Sequence, residues 1–459
     1  MIRSRRLAAF GQWLALGSAV GAACGVASGV FLLLLEWVTA IRNAHETVVY
    51  TLPLAGLAIG FVYDRWGKPI RGGNNLIIDT IHEDRAQVPL RMAPMVLAGT
   101  LLTHLFGGSA GREGTAIQMG GSLADALAHG LGRRINLPRS ARRQLLVAGM
   151  AGGFGSVFGT PIAGTLFGLE VVVMGRMEYE ALVPSLVSAL VGDRVTRAMG
   201  VRHTPYPAAP LLLPTFLVLG KVVLMGAAMA AATTAFVELT HGLKRLFEAR
   251  IPRLPLRMFA GGLAVVVLWK AIGTSDYLGL GVPTILRAFS DPALPSYVFA
   301  AKLVFTAVTL AAGFLGGEVT PLFFVGATLG SVLARVLDLP IAVGAGVGLA
   351  AVFGAAANTP IALSVMAVEL LGANIFPYVV VGTVVAYLLS GHRGVYPSQR
   401  LDRRKSGQSL PSRLALRDYA STSIPPSALD SPRTVAPAAP ASAPGPSGAV
   451  GVDGGETKP

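Results

Sequence analysis

Apolar runs of membrane-spanning length recur from Trp13 to Leu389, among them 12–38, 93–106, 212–236, 258–272, 299–315 and 341–371. No other feature restricts the fold as much. Roughly 20 apolar residues in a row cross the hydrocarbon core of a bilayer as a helix. In that core every backbone N–H and C=O needs a partner inside the protein. Charged residues make up only 14% of the sequence, against about 25% in soluble domains, and the mean hydropathy is +0.60. The chain reads as an all-α polytopic membrane protein. Several runs fall short of a full span or are interrupted by Gly and Pro, which number 56 and 30. Irregular backbone at membrane depth survives only where protein or a watery cavity satisfies it, so broken and re-entrant helices are expected.

The net charge of +14 is spread between the apolar runs. Basic clusters lie at Arg3/Arg5/Arg6, Arg133/Arg134/Arg139/Arg142/Arg143, Lys244/Arg245/Arg250/Arg253 and Arg400/Arg403/Arg404/Lys405. The positive-inside rule assigns these loops and both termini to the cytoplasm. A nucleic-acid partner would require the basic residues gathered on one surface with aromatics, which this spacing does not provide. MIRSRRLAAFGQWLALGSAV has the outline of a signal peptide, but its apolar run continues too far and no cleavage site stands out. It is therefore the first membrane element. The single cysteine, Cys24, excludes an intrachain disulfide. No cofactor or metal is expected. From about residue 405 the composition turns rich in Pro, Ala, Ser and Gly. A segment so poor in apolar residues lacks the means to fold, so 405–459 is expected to be a disordered cytoplasmic tail.

The membrane part contains an internal repeat. GTPIAGTLFGLEV at 159–171 matches NTPIALSVMAVEL at 358–370, with Glu170 and Glu369 each ten residues after the Thr. Earlier in each half, GREGT at 111–115 matches GGEVTP at 316–321, pairing Glu113 with Glu318 and Thr115 with Thr320. Two matches in the same order at similar offsets define two halves, 7–200 and 201–400. Repeated halves with Gly/Pro-interrupted helices mark a transporter whose site lies where the halves meet.

An ionised carboxylate within apolar sequence is costly and is a functional candidate by default. The glycines around Glu113 let the backbone turn sharply and leave amides uncovered. A helix starting near Gly114 presents free N–H groups and a positive dipole end, which is an anion site. Glu113 can occupy that site itself, or leave it to a free anion and take up a proton. A buried ion pair with Arg112 is the plainer reading, weakened because adjacent helical residues do not face each other. Gly316–Pro321 has the same grammar, with Pro suited to an early helical position. Glu318 there would repel an anion if ionised, so it is either kept protonated or hydrogen-bonded to Glu113; two carboxylates sharing a site push one pKa up. Thr320 is either an anion donor or a simple helix cap. RGGNN at 71–75 opens another apolar segment. Asn74 or Asn75 caps a helix there or donates its amide to an anion. Tyr396, just past the last apolar run, is either an interfacial anchor or a donor at the inner mouth.

These residues together resemble the CLC family of chloride channels and proton-coupled anion antiporters, over about residues 10–400. The resemblance implies a CLC-type fold of two inverted repeats, with four helix N-termini around a central anion path in each subunit of a homodimer. GREGT is similar to the family's GREGP motif, which gives Glu113 the role of outer gate and proton acceptor. GGEVTP is similar to GxFxP, whose amides bind the anion; this carries over to Glu318 and Val319, with Thr320 beside them. RGGNN stands where GSGIP supplies a Ser to the central anion, which selects Asn74 by position, with Asn75 next. Tyr396 corresponds to the family's central Tyr. The departures are Asn for Ser, Thr115 for Pro, Val319 for the aromatic, the extra Glu318, and Val171 where chloride antiporters carry a second, inner proton Glu. They resemble the fluoride-specific branch, whose members exchange fluoride for protons and protect bacteria from fluoride. Fluoride is small and strongly hydrated, and Asn NH₂, Thr OH and backbone N–H are compact donors able to replace its water. The expected protein is a fluoride/proton antiporter of a bacterial inner membrane. A chloride antiporter or channel on the same fold is the alternative. An intramembrane serine hydrolase is a remote one, because Gly107–Gly111 matches G-x-S-x-G around Ser109 with His104 one turn away.

Overall fold

The computed structural model describes residues 2–83, 87–135 and 139–419. In order along the chain the helices are α1 (Ile2–Ala44), α2 (Leu52–Trp66), α3 (Asn74–His82), α4 (Met92–Leu105), α5 (Glu113–Ile135), α6 (Arg139–Phe158), α7 (Pro161–Glu170), α8 (Leu182–Ala198) and α9 (Phe216–Arg250). They continue as α10 (Leu254–Ile272), α11 (Val282–Arg287), α12 (Val298–Ala312), α13 (Val319–Val336), α14 (Ile341–Ala356), α15 (Pro360–Leu371), α16 (Phe376–Leu389) and α17 (Leu416–Tyr419). Among the described residues, five helices are long and apolar enough to cross a membrane, within α1, α2 with the turn before it, α9, α10 and α13. Others stop half-way. The nine residues of α3 and ten of α7 reach about 14–15 Å at 1.5 Å per residue, roughly half the hydrocarbon thickness.

The sequence repeat has a structural counterpart. Gly159 and Asn358 both adopt positive φ, 75° and 55°, and these are residue types that visit the left-handed region at little cost. Thr160 and Thr359 follow with nearly the same backbone angles, and Pro161 and Pro360 open α7 and α15. Pro suits that place because its missing N–H had no helical acceptor. α5 crosses α6 through Gly120 on Gly149, and α13 crosses α14 through Gly326 on Gly348; a Cβ at Gly120 or Gly326 would collide with the facing carbonyl.

The halves also exchange contacts reciprocally. Glu170 at the end of α7 accepts from the amides of Ile361 and Ala362 at 3.2 and 2.8 Å. Glu369 in α15 accepts from Ile162 and Ala163 at 3.1 and 2.7 Å. Each carboxylate sits on the positive N-terminus of the other half's helix. Such reciprocity is what an approximate two-fold axis imposes on a self-complementary contact. Between the halves, Phe158 meets Phe323 with centroids 5.3 Å apart, and Phe167 stacks on Phe353 at 6.1 Å.

The all-α expectation holds, with a small three-stranded sheet besides the helices: β1 (Val173–Met174), β2 (Arg400–Arg403) and β3 (Ser409–Ala415), with β1 parallel and β3 antiparallel to β2. One expectation changes. The first part of the segment read as a disordered tail is therefore ordered through Tyr419. Its few apolar residues are well used: Leu410, Ala415 and Leu416 are all buried. Composition averages over a window and misses apolar side chains that are sparse but buried. The rest of that expected tail, 420–459, lies outside the described residues.

Candidate functional site

The two glycine-rich segments cross as backbone. Gly111 N–H donates to Gly317 O at 2.6 Å and Gly317 N–H to Gly111 O at 2.8 Å. This two-way pairing needs close approach: a Cβ on Gly317 would lie 2.6 Å from Gly114 N, and one on Gly111 2.9 Å from Gly317 O. It brings the N-termini of α5 and α13 face to face. α3 arrives at the same place, since a Cβ on Gly114 would lie 3.3 Å from Asn74 Nδ2.

Glu113 is the first residue of α5 and fully buried. Its carboxylate does not turn back along its own helix. It accepts from the Thr320 amide at 3.2 Å and from the Thr320 hydroxyl, both in the first turn of α13. The Arg112 amide adds a third bond at 3.1 Å. First-turn amides have no intrahelical acceptor, so the carboxylate sits where α13 would otherwise hold an anion. The Arg112 side chain also lies 3.5 Å from Glu113. The spacing rule had weakened that pair, but Arg112 precedes the helix and the rule does not apply to it. Glu318 precedes α13 as its N-cap, without a side-chain capping bond. It lies within electrostatic range of Glu113. The hydrogen bond considered between the two is not formed among the described residues, because Thr320 and Arg112 supply those bonds. Val319 is fully buried in the first turn. Thr115 bonds Thr100 on α4 at 2.6 Å, which anchors α5 where the related motif has Pro.

The two asparagines part company. The N-cap of α3 is Gly73, with φ 55°, so neither asparagine caps the helix. Asn75 Oδ1 accepts from Ser398 N–H at 3.0 Å and so holds the turn that carries Tyr396. Asn74 is buried, and its Oδ1 has no partner among the described residues. Tyr396 is 2% exposed, which removes the anchor reading, and its hydroxyl is buried without a partner among the described residues. It lies in electrostatic range of both Glu113 and Glu318. Tyr396 does not stand at a helix N-terminus: the chain runs on through a turn to β2.

Sequence reasoning missed what holds that turn. Ser398 Oγ donates to Asp79 on α3 at 2.9 Å, and Arg417 on α17 reaches the same carboxylate at 3.0 Å. Gln399 donates to Val171 O and Ala357 O at 2.9 and 2.7 Å. Tyr206, in the connection between α8 and α9, lies within electrostatic range of Arg112 and Glu113. No periodicity or motif marks any of these. Two separate cavities end near the cluster. One of about 600 Å³ is lined by Glu36, Arg112 and His203, and one of about 460 Å³ by His241, Arg393 and Pro397. Ser109 is unlike a hydrolytic nucleophile: its hydroxyl bonds Thr306 at 2.9 Å. Both ring nitrogens of His104 face carbonyl oxygens, of Thr100 and Ala110.

A family model described as voltage gated chloride channel matches residues 55–391. A chloride/fluoride channel protein of Pseudomonas syringae pv. tomato is 47% identical over 413 residues, covering 89% of this chain and 90% of that protein. The crystal structure of a CLC-type fluoride/proton antiporter superposes with a TM-score of 0.81 at 35% identity, covering 86% of this chain and 98% of that one. A slow cyanobacterial chloride/proton antiporter shares the fold, with a TM-score of 0.71 at 18% identity over 82% of this chain and 94% of its own.

Proposed function

This chain belongs to the voltage gated chloride channel family, CLC, and on that premise we propose that it exchanges fluoride for protons and exports fluoride from the cytoplasm of a bacterial cell. The observation that carries this reading is the Glu113 carboxylate seated on the Thr320 amide and hydroxyl at the start of α13. A fluoride ion and a carboxylate oxygen ask for the same donors, so one displaces the other. A displaced Glu113 is free to take up a proton, and gate and proton carrier become one residue. Asn74, Gly114, Val319, Thr320 and Tyr396 line the anion path, and Asn75 holds the Tyr396 turn in place. The two cavities serve as the outer and inner approaches, separated by Glu113 and Tyr396.

Fluoride is favoured over chloride by the likeness to a chloride/fluoride channel protein and a fluoride/proton antiporter, together with the compact donors at Asn74 and Thr320. Val171 is buried and apolar, and Glu170 is occupied by two amides. Protons therefore pass through the anion path itself, by Glu113 and Glu318. The protein works as a homodimer in the inner membrane, with one path per subunit and both termini cytoplasmic. Proteoliposomes loaded with fluoride or chloride test the reading. Fluoride efflux with counter-flowing protons and little chloride efflux is expected. Chloride efflux as fast as fluoride efflux would reduce the protein to a general CLC anion transporter.

A further inference from the structure

The basic cluster at 400–405 is not fully explained by topology. The β2–β3 hairpin, β1 and the end of α16 line a third pocket, of about 400 Å³, apart from both approaches to the anion path. Arg176, Arg403, Arg404 and Lys405 line it, with Asp402 as the only carboxylate among its lining residues. Asp402 is already shared, 3.6 Å from Arg176 and 3.8 Å from Arg413. Arg403 makes no ion pair among the described residues and is exposed. Arg404 Nε is buried with no hydrogen-bond partner among them, while its guanidinium lies 5.8 Å from the Tyr419 ring. Lys405 donates to Tyr387 O at 2.5 Å and sits 3.8 Å over the Tyr387 ring. Arg404 and Lys405 are thus held by ring contacts and, for Lys405, a carbonyl, rather than by opposite charge.

We propose that this pocket binds an anionic phosphate group, supplied by the headgroup of an acidic lipid or by free phosphate. Guanidinium groups meet phosphate oxygens with two parallel N–H donors, which makes arginine pairs suited to this anion. Basic pockets beside membrane helices on the cytoplasmic side take acidic headgroups for the same reason. Next to Tyr387, Leu388 and Leu389 are 49% and 61% exposed. Polar and apolar surfaces thus adjoin as a headgroup and its chains do. The site does not depend on which anion the transport path carries.

The test is a thermal-unfolding titration of the purified full chain in detergent, with phosphatidylglycerol, phosphatidylcholine and inorganic phosphate as separate ligands. A saturable rise in Tm with phosphatidylglycerol alone assigns a lipid. A rise with inorganic phosphate as well assigns free phosphate, and either supports the site. Phosphatidylcholine, whose ammonium offsets its phosphate, should give no rise. Arg403→Gln with Arg404→Gln is expected to weaken the apparent affinity about 30-fold, from loss of two basic side chains. Arg287→Gln, remote from the pocket and paired with Asp291, leaves it unchanged. No saturable rise with either anion, an equal rise with phosphatidylcholine, or an undiminished rise in the double variant overturns the proposal. Should the double variant fail to fold, Asp402→Asn decides: tighter binding supports the site, and unchanged or weaker binding overturns it.

Discussion

Glu113→Gln tests the proposed gate separately from the rest of the path. The wild-type carboxylate accepts three hydrogen bonds, from Arg112 N–H, Thr320 N–H and Thr320 Oγ1. A bond to a charged acceptor contributes ~1.5–3 kcal/mol and a neutral one ~0.5–1.5. Neutralisation therefore costs the seated gate about 1 kcal/mol per bond, about 3 kcal/mol in all. The Arg112 ion pair is left out of that figure, because desolvation of both ions offsets its Coulomb term. About 3 kcal/mol is roughly a hundredfold loss of the seated state. Glutamine also carries no exchangeable proton charge, so coupling ends. The assay records fluoride and proton movement together in proteoliposomes given a proton gradient and equal fluoride on both sides. Wild type should accumulate fluoride against its gradient. The variant should not, and any fluoride it moves should run only down its own gradient. Proton-driven accumulation at the wild-type rate in Glu113→Gln would refute the reasoning.

The other predictions concern neighbouring groups. Thr320→Val removes a charge-assisted bond worth ~1.5–3 kcal/mol and should raise uncoupled fluoride leak at least tenfold, while Thr320→Ser keeps the hydroxyl and stays near wild type; equal leak in both would count against the hydroxyl. Tyr396→Phe deletes a hydroxyl with no partner among the described residues, so Tm should hold while fluoride affinity measured by calorimetry falls; a large drop in Tm would mean the hydroxyl is structural. Burial lowers the Lys405 ammonium to about 7. The native state then binds fewer protons than the unfolded one between pH 7 and the ordinary lysine range, so stability rises with pH across that window. Lys405→Met should accordingly stabilise most at pH 7 and progressively less towards pH 9; a Tm difference that is flat with pH would contradict this.

Much of the site was legible before any coordinates. Glu113 and Glu318 stood out because ionisable groups in apolar sequence are rare for an energetic reason. The Glu170 and Glu369 repeat stood out because each half must build the same helix start. What stayed hidden was which donor meets which acceptor. Asn74 and Asn75 are indistinguishable as neighbours in sequence, and only the arrival of Ser398 at Asn75, with Asn74 Oδ1 left without a partner among the described residues, tells them apart. The Arg112–Glu113 contact escapes the helix-spacing rule because Arg112 lies one residue before α5 begins.

Hydropathy, glycine and proline placement and the internal repeat are local properties of the chain. They determined by themselves a membrane protein of two related halves with interrupted helices and a buried carboxylate at the junction. Pairings across long separations belong to the tertiary structure: Thr320 to Glu113 spans 207 residues, Ser398 to Asn75 spans 323, and Arg417 to Asp79 spans 338. No periodicity carries such information, because it arises only when the glycine segments before α5 and α13 cross and bring the two helix starts together. That crossing places Glu113 on α13, and bonds to Asn75 and Asp79 hold Ser398 and Arg417 against α3.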